Sequence, residues 1–458
     1  MDFPRWTLGR AGVRLVDLFR RTDSLALHPG VMASQWEDPD RLREVQWEAL
    51  RLLLEHAAAK VPYYRRLFVE RGLKPADFRE PGDLARLPRL TKEIIRREGR
   101  DMLADDFQAW QPRPKATSGS TGVPLRYWID RRSHGLHWAF IWRAWSLAGF
   151  QPGQRWGLLA GGALAPSDTS FRQRVYQWLN GALNMPAGTL GVAELERYAA
   201  QLSDTPLALI WGYPSSLRFL ARYIARENLR LRTRHLFTTS ELLPASWRRE
   251  IETATGASLF DVYGNNDGGI LAFECERRDG YHINAEGALV EIVDEADHPL
   301  PAGDTGEVLA TNLHNYAMPF IRYAPGDRAA ILAEPCPCGR GLPRLGALGG
   351  RVRDCVVTPD GRRVHGSFFN RLLFDASGGD AASWLEAYQV QQSERGALRV
   401  LLQARRPPIG TALATLGERI SAGLGDGMRV DVELVDEIPR SPAGKYRLII
   451  CDLEEEAD

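Results

Sequence analysis

From residue 205 onward, short apolar runs alternate with segments of helical periodicity, and few folds accommodate that alternation. Leu207-Ala208-Leu209-Ile210-Trp211 reads as a buried strand, and Pro214-Ser215-Ser216 opens a helix carried by Leu217, Leu220 and Ile224. His235 to Thr238 and Ser258 to Tyr263 predict two further strands, flanking the helix-like stretch Ala245 to Thr255. Such a chain buries its apolar surface by laying helices over a parallel sheet, which places it in the α/β class. From Tyr281 to Leu332 the pattern changes to consecutive β-like runs separated by turn residues such as Pro301-Ala302-Gly303-Asp304. A β-rich subdomain is expected over about 281–349.

Upstream, Trp47, Leu50, Leu54 and Ala57 recur at helical spacing until Val61-Pro62, and Thr91 stands as an N-cap for the next helix. Trp138, Trp142 and Trp145 fall at i, i+4 and i+7, the signature of one buried helix face, with ligand stacking as the rarer alternative. Beyond Gly349-Gly350-Arg351 come a hairpin around Pro359-Asp360-Gly361, strands near 388–391 and 398–403, a helix near 411–422 and a strand at 430–435. The expected organisation is a large N-terminal body over 1–349, a hinge near 350–354, and a small α+β lid over 350–458.

Composition narrows the function. Fifty-eight basic residues balance 58 acidic ones, which gives no reason to expect a nucleic-acid partner. Five cysteines in 458 residues argue against a secreted disulfide scaffold and for a reducing, cytoplasmic setting. No apolar run approaches the roughly 20 residues that an integral membrane helix needs. The stretch from Met1 to Arg21 mixes Trp6, Leu15 and Leu18 with arginines and reads as an amphipathic helix, with membrane or partner contact as the alternative. Only five lysines stand against 53 arginines, so a lysine in a chemically suggestive place carries extra information.

Four segments could carry chemistry. Ala116-Thr117-Ser118-Gly119-Ser120-Thr121-Gly122-Val123-Pro124 combines glycines that let the backbone approach an anion with hydroxyls that bond phosphate oxygens, and Lys115 stands beside it. It is neither a Walker loop nor a nucleophile elbow, and an ordinary loop is the bland reading. Pro439-Arg440-Ser441-Pro442-Ala443-Gly444-Lys445 holds an ammonium forward in a tight loop, suited to a phosphoryl oxygen. Tyr263-Gly264-Asn265-Asn266-Asp267-Gly268-Gly269 follows an expected strand, with Asp267 placed to ligate Mg²⁺ and Tyr263 to pack on a flat ring. Ile321-Arg322-Tyr323-Ala324-Pro325-Gly326-Asp327 ends in an aspartate fit for a ribose hydroxyl pair. Trp211, Tyr213, Pro214 and Asn265 are candidate pocket-lining residues, and His137 either faces that pocket or is an ordinary helix histidine.

Taken together, in this order and spacing, these segments resemble the phenylacetate–CoA ligase family of adenylate-forming enzymes, and within it the capsular-polysaccharide-biosynthesis-like branch. Val61-Pro62-Tyr63-Tyr64, Leu87-Pro88-Arg89-Leu90-Thr91-Lys92 and Thr311-Asn312-Leu313-His314-Asn315-Tyr316-Ala317-Met318-Pro319 add to the likeness, which runs from about residue 44 to 451. The resemblance implies an ATP-dependent ligase that forms an acyl-adenylate from a carboxylic acid and passes the acyl group to coenzyme A or a carrier thiol. Transfer to an amine or hydroxyl, and a non-catalytic adenylate-binding protein, are the alternatives. By the same resemblance Ser118, Gly119, Ser120, Thr121 and Gly122 would cradle the ATP phosphates, and Ser240 and Glu241 would border the adenine. Tyr263 and Gly264 would line the nucleotide and acyl pockets, Asp327 would hold the ribose, and Arg351 would lie at the hinge. Lys445 would contact the reacting carboxylate and α-phosphate. Two residues depart from the family pattern: Asp267 is shorter than the usual glutamate, and Arg353 stands at the pivot.

Cys275, His282, Cys336 and Cys338 form a last group. Four soft ligands suit a closed structural Zn²⁺ site, although the spacing matches no common zinc finger. Two separate sets of buried thiols are the alternative, and the resemblance favours zinc.

Overall fold

The computed structural model describes residues 9–116, 125–160, 170–187, 192–265, 267–346, 348, 355–360, 363–365, 368–369, 372–373, 384–408, 412–425, 427–439 and 447–453. Ser118, Gly119, Ser120, Thr121, Gly122, Arg351, Arg353 and Lys445 lie outside these residues. The chain divides into two compact units. The first comprises Met1–Leu243, Trp247–Pro325 and Ala329–Leu348; the second comprises Pro244–Ser246, Gly326–Arg328 and Gly349–Asp458.

A nine-stranded sheet organises the first unit. Five parallel strands run in the spatial order Ser258–Asn265, His235–Thr239, Ile210–Gly212, Trp156–Ala160, Ala182–Pro186. Antiparallel Ile270–Phe273, Tyr281–Ile283, Arg344–Leu345 and Ile331–Leu332 extend the edge beyond Ser258–Asn265. Strand order reverses at Trp156–Ala160, whose sequence successor Ala182–Pro186 lies on one side and Ile210–Gly212 on the other. In open α/β sheets that reversal leaves a crevice outside the carboxyl ends of the strands.

Helices cover both faces, as buried parallel strands require. On one face the helix Pro214–Arg226 turns Leu217, Leu220 and Ile224 onto Leu236 and Leu259, with Ile251 of the helix Ala245–Thr255. On the other face the helix Arg131–Trp145 lays Phe140, Trp142 and Trp145 against Trp156, Trp211 and Phe237. The tryptophan stripe is thus core, with Trp145 fully buried and Trp138 only partly so. The long helix Pro39–Lys60 and its successor Pro62–Glu70 pack in a separate core with Leu313, Phe320 and Tyr323. Ala288–Val293 and Gly306–Asn312 pair antiparallel in a three-stranded sheet, the β-rich part of the unit.

The second unit holds a four-stranded sheet ordered Arg429–Val435, Ala397–Ala404, Leu385–Glu394, Ile449–Cys451. The helix Ala412–Leu424 buries Leu416, Ile420 and Leu424 in one core with Val390, Val400, Leu402 and Trp384. Cys355–Val357 and Arg363–His365 form a two-stranded antiparallel ladder.

One boundary differs from expectation. The strand expected over Leu207–Trp211 is observed at Ile210–Gly212; Leu207 and Leu209 are buried ahead of it, and Ala208 N–H to the Arg155 carbonyl and Gly157 N–H to the Leu209 carbonyl, each at 2.9 Å, already bond this approach to the neighbouring segment.

Candidate active site and metal centre

Ser240 and Glu241 follow the carboxyl end of the strand His235–Thr239, and Tyr263 and Gly264 stand near the end of its neighbour Ser258–Asn265. Adjacent parallel strands therefore bring the two segments side by side on the edge where α/β sheets bind ligands. Ser240 sits at φ +70, a left-handed conformation that non-glycine residues rarely adopt and that often marks a functional turn. The Glu241 carboxylate accepts from the Ser215 backbone N–H and hydroxyl, each at 3.1 Å, at the N-terminus of the helix Pro214–Arg226. That contact joins the Ser240 turn to the positive end of a helix dipole.

The turn after Tyr263-Gly264 is held from within. Asn265 is buried and its Oδ1 accepts from the Gly268 N–H at 2.8 Å. Gly269 lies at φ +75, and a Cβ there would meet Asn312 Cγ at 2.6 Å, so only glycine fits. Asp267 accepts from the hydroxyl of Tyr323, which is fully buried. The carboxylate is therefore partly committed to a protein donor. Asp327 follows Gly326, φ +86, in the short segment Gly326–Arg328 that groups with the second unit.

Beside Gly269 a narrow cleft of about 280 Å³, open space included, is lined by Ser133, His137, Phe140, Asn312 and His314. Asp130 positions this wall: it caps the helix Arg131–Trp145 through Ser133 N–H at 2.7 Å and also accepts from Tyr316 N–H at 2.7 Å. Burial pushes the Asp130 carboxyl up to about 6. His314 donates from Nε2 to the Glu286 carbonyl at 2.7 Å. Burial, then the charge of Lys115, pushes His137 down to about 3, so its ring is neutral near pH 7. The cleft thus offers polar groups that reasoning from the sequence mostly missed, His137 having been the one signal. Trp211, Tyr213, Pro214 and Asn265, the expected lining residues, are all buried, Trp211 at 5.5 Å from Trp145 between ring centres.

The four soft ligands do converge. Cys275 follows the strand Ile270–Phe273, and His282 lies opposite Phe273 in the next strand. Cys336 and Cys338 flank Pro337 in a turn closed by a Gly339 N–H bond to the Cys336 carbonyl at 3.1 Å. Cys275 Sγ lies 3.7 Å from Cys336 Sγ, and Cys338 Sγ lies 3.3 Å from His282 Nε2. All four ligand atoms fall within 4.8 Å of one another, and all three cysteines are free thiols. Tetrahedral zinc with bonds of about 2.3 Å to sulfur and about 2.0 Å to nitrogen requires ligand separations of roughly this size, so the donors fit the ion. Buried Arg340 braces the turn, bonding Gln35 Oε1 at 2.8 Å and Glu276 at 3.2 Å and lying 4.8 Å over Trp36. Burial opposes ionisation of Cys338, but the Arg340 N–H and guanidinium hold its thiol below the usual range.

Among the described residues no helix is long and apolar enough to cross a membrane. Residues 356–452 match the family model of the CapK C-terminal domain. The phenylacetate–coenzyme A ligase of Thermus thermophilus is 29% identical over 333 residues, 69% of this chain and 72% of that enzyme. A solved 2-hydroxyisobutyryl-CoA ligase, in its postadenylation state with R3-HIB-AMP, superposes with a TM-score of 0.71 at 22% identity, over 92% of this chain and 91% of that one. The phenylacetate–coenzyme A ligase of Escherichia coli is 30% identical over 336 residues, 69% of this chain and 73% of that enzyme. Sharing most of its length with such relatives, and a CapK-type C-terminal domain besides, the chain belongs to the phenylacetate–CoA ligase family of adenylate-forming enzymes.

Proposed function

We propose that the protein activates a carboxylic acid with ATP as an acyl-adenylate and transfers the acyl group to a thiol such as coenzyme A. One observation carries the reading within the family: Ser240-Glu241 and Tyr263-Gly264 meet at the carboxyl ends of adjacent parallel strands. There a nucleotide lies against backbone turns, and the acyl group enters the cleft beside Gly269. A carboxylate oxygen attacks the α-phosphorus in line and pyrophosphate leaves; in the second step the thiol sulfur attacks the acyl carbon and AMP leaves. Ser118 to Gly122 hold the phosphates, Asp327 the ribose, and Arg351 lies at a hinge over 350–354. Lys445, on the lid over 350–458, neutralises charge that builds on the carboxylate and α-phosphate. Mg²⁺ bound to ATP would supply charge screening at the phosphates that Ser118 to Gly122 hold. The fit of Cys275, His282, Cys336 and Cys338 to a tetrahedral ion supports a structural Zn²⁺ with no position open to substrate. Free thiols support a cytoplasmic, reducing setting.

Carboxylate-dependent exchange between pyrophosphate and ATP tests the first step, and coenzyme A consumption tests the second. Exchange without coenzyme A consumption would point to an amine or hydroxyl acceptor. Absence of exchange with every acid in a broad panel would remove the reading.

A further inference from the structure

The acid's identity is narrowed by a group of positive side chains that the reaction does not use. Arg113 and Lys115 alternate on the strand Arg113–Ala116, so both project from one side of it. Opposite Arg113 in the ladder is Ile129, which lines the cleft. Arg113 donates to the Arg20 carbonyl. Arg20 in turn lies 3.8 Å over the Tyr176 ring and reaches His134 Nε2 at 3.5 Å. His134 and His137 stand one turn apart on the helix Arg131–Trp145, and His137 lines the cleft. A cationic wall therefore runs from Lys115 through Arg113, Arg20 and His134 to the acyl cleft.

Nothing in the described structure offsets it. Among the described residues no carboxylate lies within 4.0 Å of the charged atoms of Arg20, Arg113 or Lys115. Buried arginines elsewhere in the same unit are paired: Arg143 with Glu286, Arg218 with Glu250, Arg322 with Glu291. Asp17, one turn before Arg20, is already bonded to the Thr22 hydroxyl at 2.6 Å and the Leu25 N–H at 2.8 Å, and to Ser24. His134 adds an independent pointer. A guanidinium only donates, so His134 Nε2 accepts from Arg20 and the ring proton sits on Nδ1. That Nδ1 is buried and has no hydrogen-bond partner among the described residues. Burial, then Arg20 and Arg113, pushes the Lys115 ammonium down to about 8, the response of like charges gathered without a counter-ion. An anion beside Lys115 would supply both a counter-charge for the cations and an acceptor for the Nδ1–H.

We propose that this wall recognises a second anionic group, carboxylate or phosphate, on the acid that the enzyme activates. The inference rests on the proposed adenylation and names the class of acid for it. One end of a dianionic acid reacts with ATP while the other is held by Lys115 and the His134 Nδ1–H, with Arg20 fixing the ring from its Nε2 side.

The test uses the full chain with matched pairs: glutarate against monomethyl glutarate, phthalate against monomethyl phthalate. Charge-assisted hydrogen bonds to a buried anion predict kcat/KM in pyrophosphate exchange at least about tenfold higher for the dianions. Lys115→Met should reduce that preference about tenfold, and Lys115→Arg should largely keep it. Equal use of the monoesters overturns the inference, as does a Lys115→Met variant whose chief defect is a raised KM for ATP with every acid. Should no acid support exchange, the proposed function falls, and binding alone decides this site. A rise in melting temperature with glutarate or phthalate, lost in Lys115→Met, then supports the wall, and no rise with either dianion overturns it.

Discussion

Arg143 is completely buried, yet each end of its guanidinium finds an acceptor. It contacts Glu286 at 2.8 and 3.0 Å, the Val31 carbonyl at 2.8 Å and Asn284 Oδ1 at 2.8 Å. Burial opposes ionisation of Glu286, but Arg143 and Ser34 together hold its carboxyl below the usual range. Removing one member of such a pair strands the other, which typically costs about 3–5 kcal/mol. Arg143→Met should therefore lower the urea-unfolding free energy by about that much; a change near zero would mean that the pair adds nothing net. Acid sensitivity is set at the same scale. Burial, then Arg10 and Arg143, pushes His28 down to about 4; burial also pushes His314 down to about 4, against the pull of its bond to the Glu286 carbonyl. The folded state then binds fewer protons than the unfolded chain below the ordinary histidine range near 6.5. The stability these rings contribute is present above that range and is lost as pH falls towards 4. Asp130 has the opposite sign, favouring the fold below the ordinary aspartate range and losing that contribution as pH rises through about 6. Among the described residues seven histidines are pushed down (His28, His56, His134, His137, His235, His282, His314) against four carboxyls pushed up (Asp130, Asp261, Glu274, Glu291), which leaves the balance with acid destabilisation. Urea midpoints should fall between pH 7.5 and pH 5, and His28→Leu should flatten the slope, since its ring packs edge-on to Trp142 at 5.7 Å with Nε2 unpartnered among the described residues.

Among the elements, the turn from Asn265 to Gly269 couples the nucleotide edge of the sheet to the cleft. Gly269→Ala adds both a strained left-handed backbone and a clash with Asn312. A decrease of at least about tenfold in pyrophosphate exchange is expected, with a smaller loss of thermal stability. Unchanged exchange would show that the turn does not position the acid. The Cys336–Cys338 turn makes a separate prediction. The purified protein should carry about one equivalent of zinc, and Cys338→Ser should lose most of it and melt at a lower temperature. Full-strength exchange by a zinc-free, equally stable protein would remove the metal. These elements also show what a sequence can reveal. The helix Ala245–Thr255 and the Thr91 cap were legible because periodicity and capping are local, and Thr91 Oγ1 does accept from the Ile94 N–H at 3.3 Å. Residue type made the cysteine and histidine set legible where spacing did not. The cleft was hidden because its walls are joined by distant contacts, such as the Asp130 N–H bond to Asn315 Oδ1 at 3.0 Å across 185 residues. The left-handed turn at Ser240 was hidden because serine does not announce φ +70.

At the scale of the molecule, the two units have separate cores. Trp384, Tyr388, Leu402 and Ile420 close the second one without help from the nine-stranded sheet. A unit of that size with its own core can carry a catalytic group as a body, so a single side chain on it can serve one step and be absent from another. Lys445 lies outside the described residues, and in sequence it falls within the proposed lid over 350–458. Its proposed work is electrostatic, stabilising charge on the carboxylate and α-phosphate as pyrophosphate departs. Thioester formation builds charge too, on the acyl oxygen and the departing AMP phosphate, so the expected split between the steps rests on the proposed lid rotation, which would take Lys445 out of the second one. Lys445→Ala should therefore reduce the first step by about 10²-fold or more, as removal of one pre-organised positive donor commonly does. Thioester formation from a supplied acyl-adenylate should proceed within a few-fold of the unaltered enzyme. Single-turnover assays separate the two. Equal loss in both would show that the lysine acts on binding or folding common to the steps, and would return the assignment of the adenylating cation to the arginines, which outnumber lysines in this chain 53 to five.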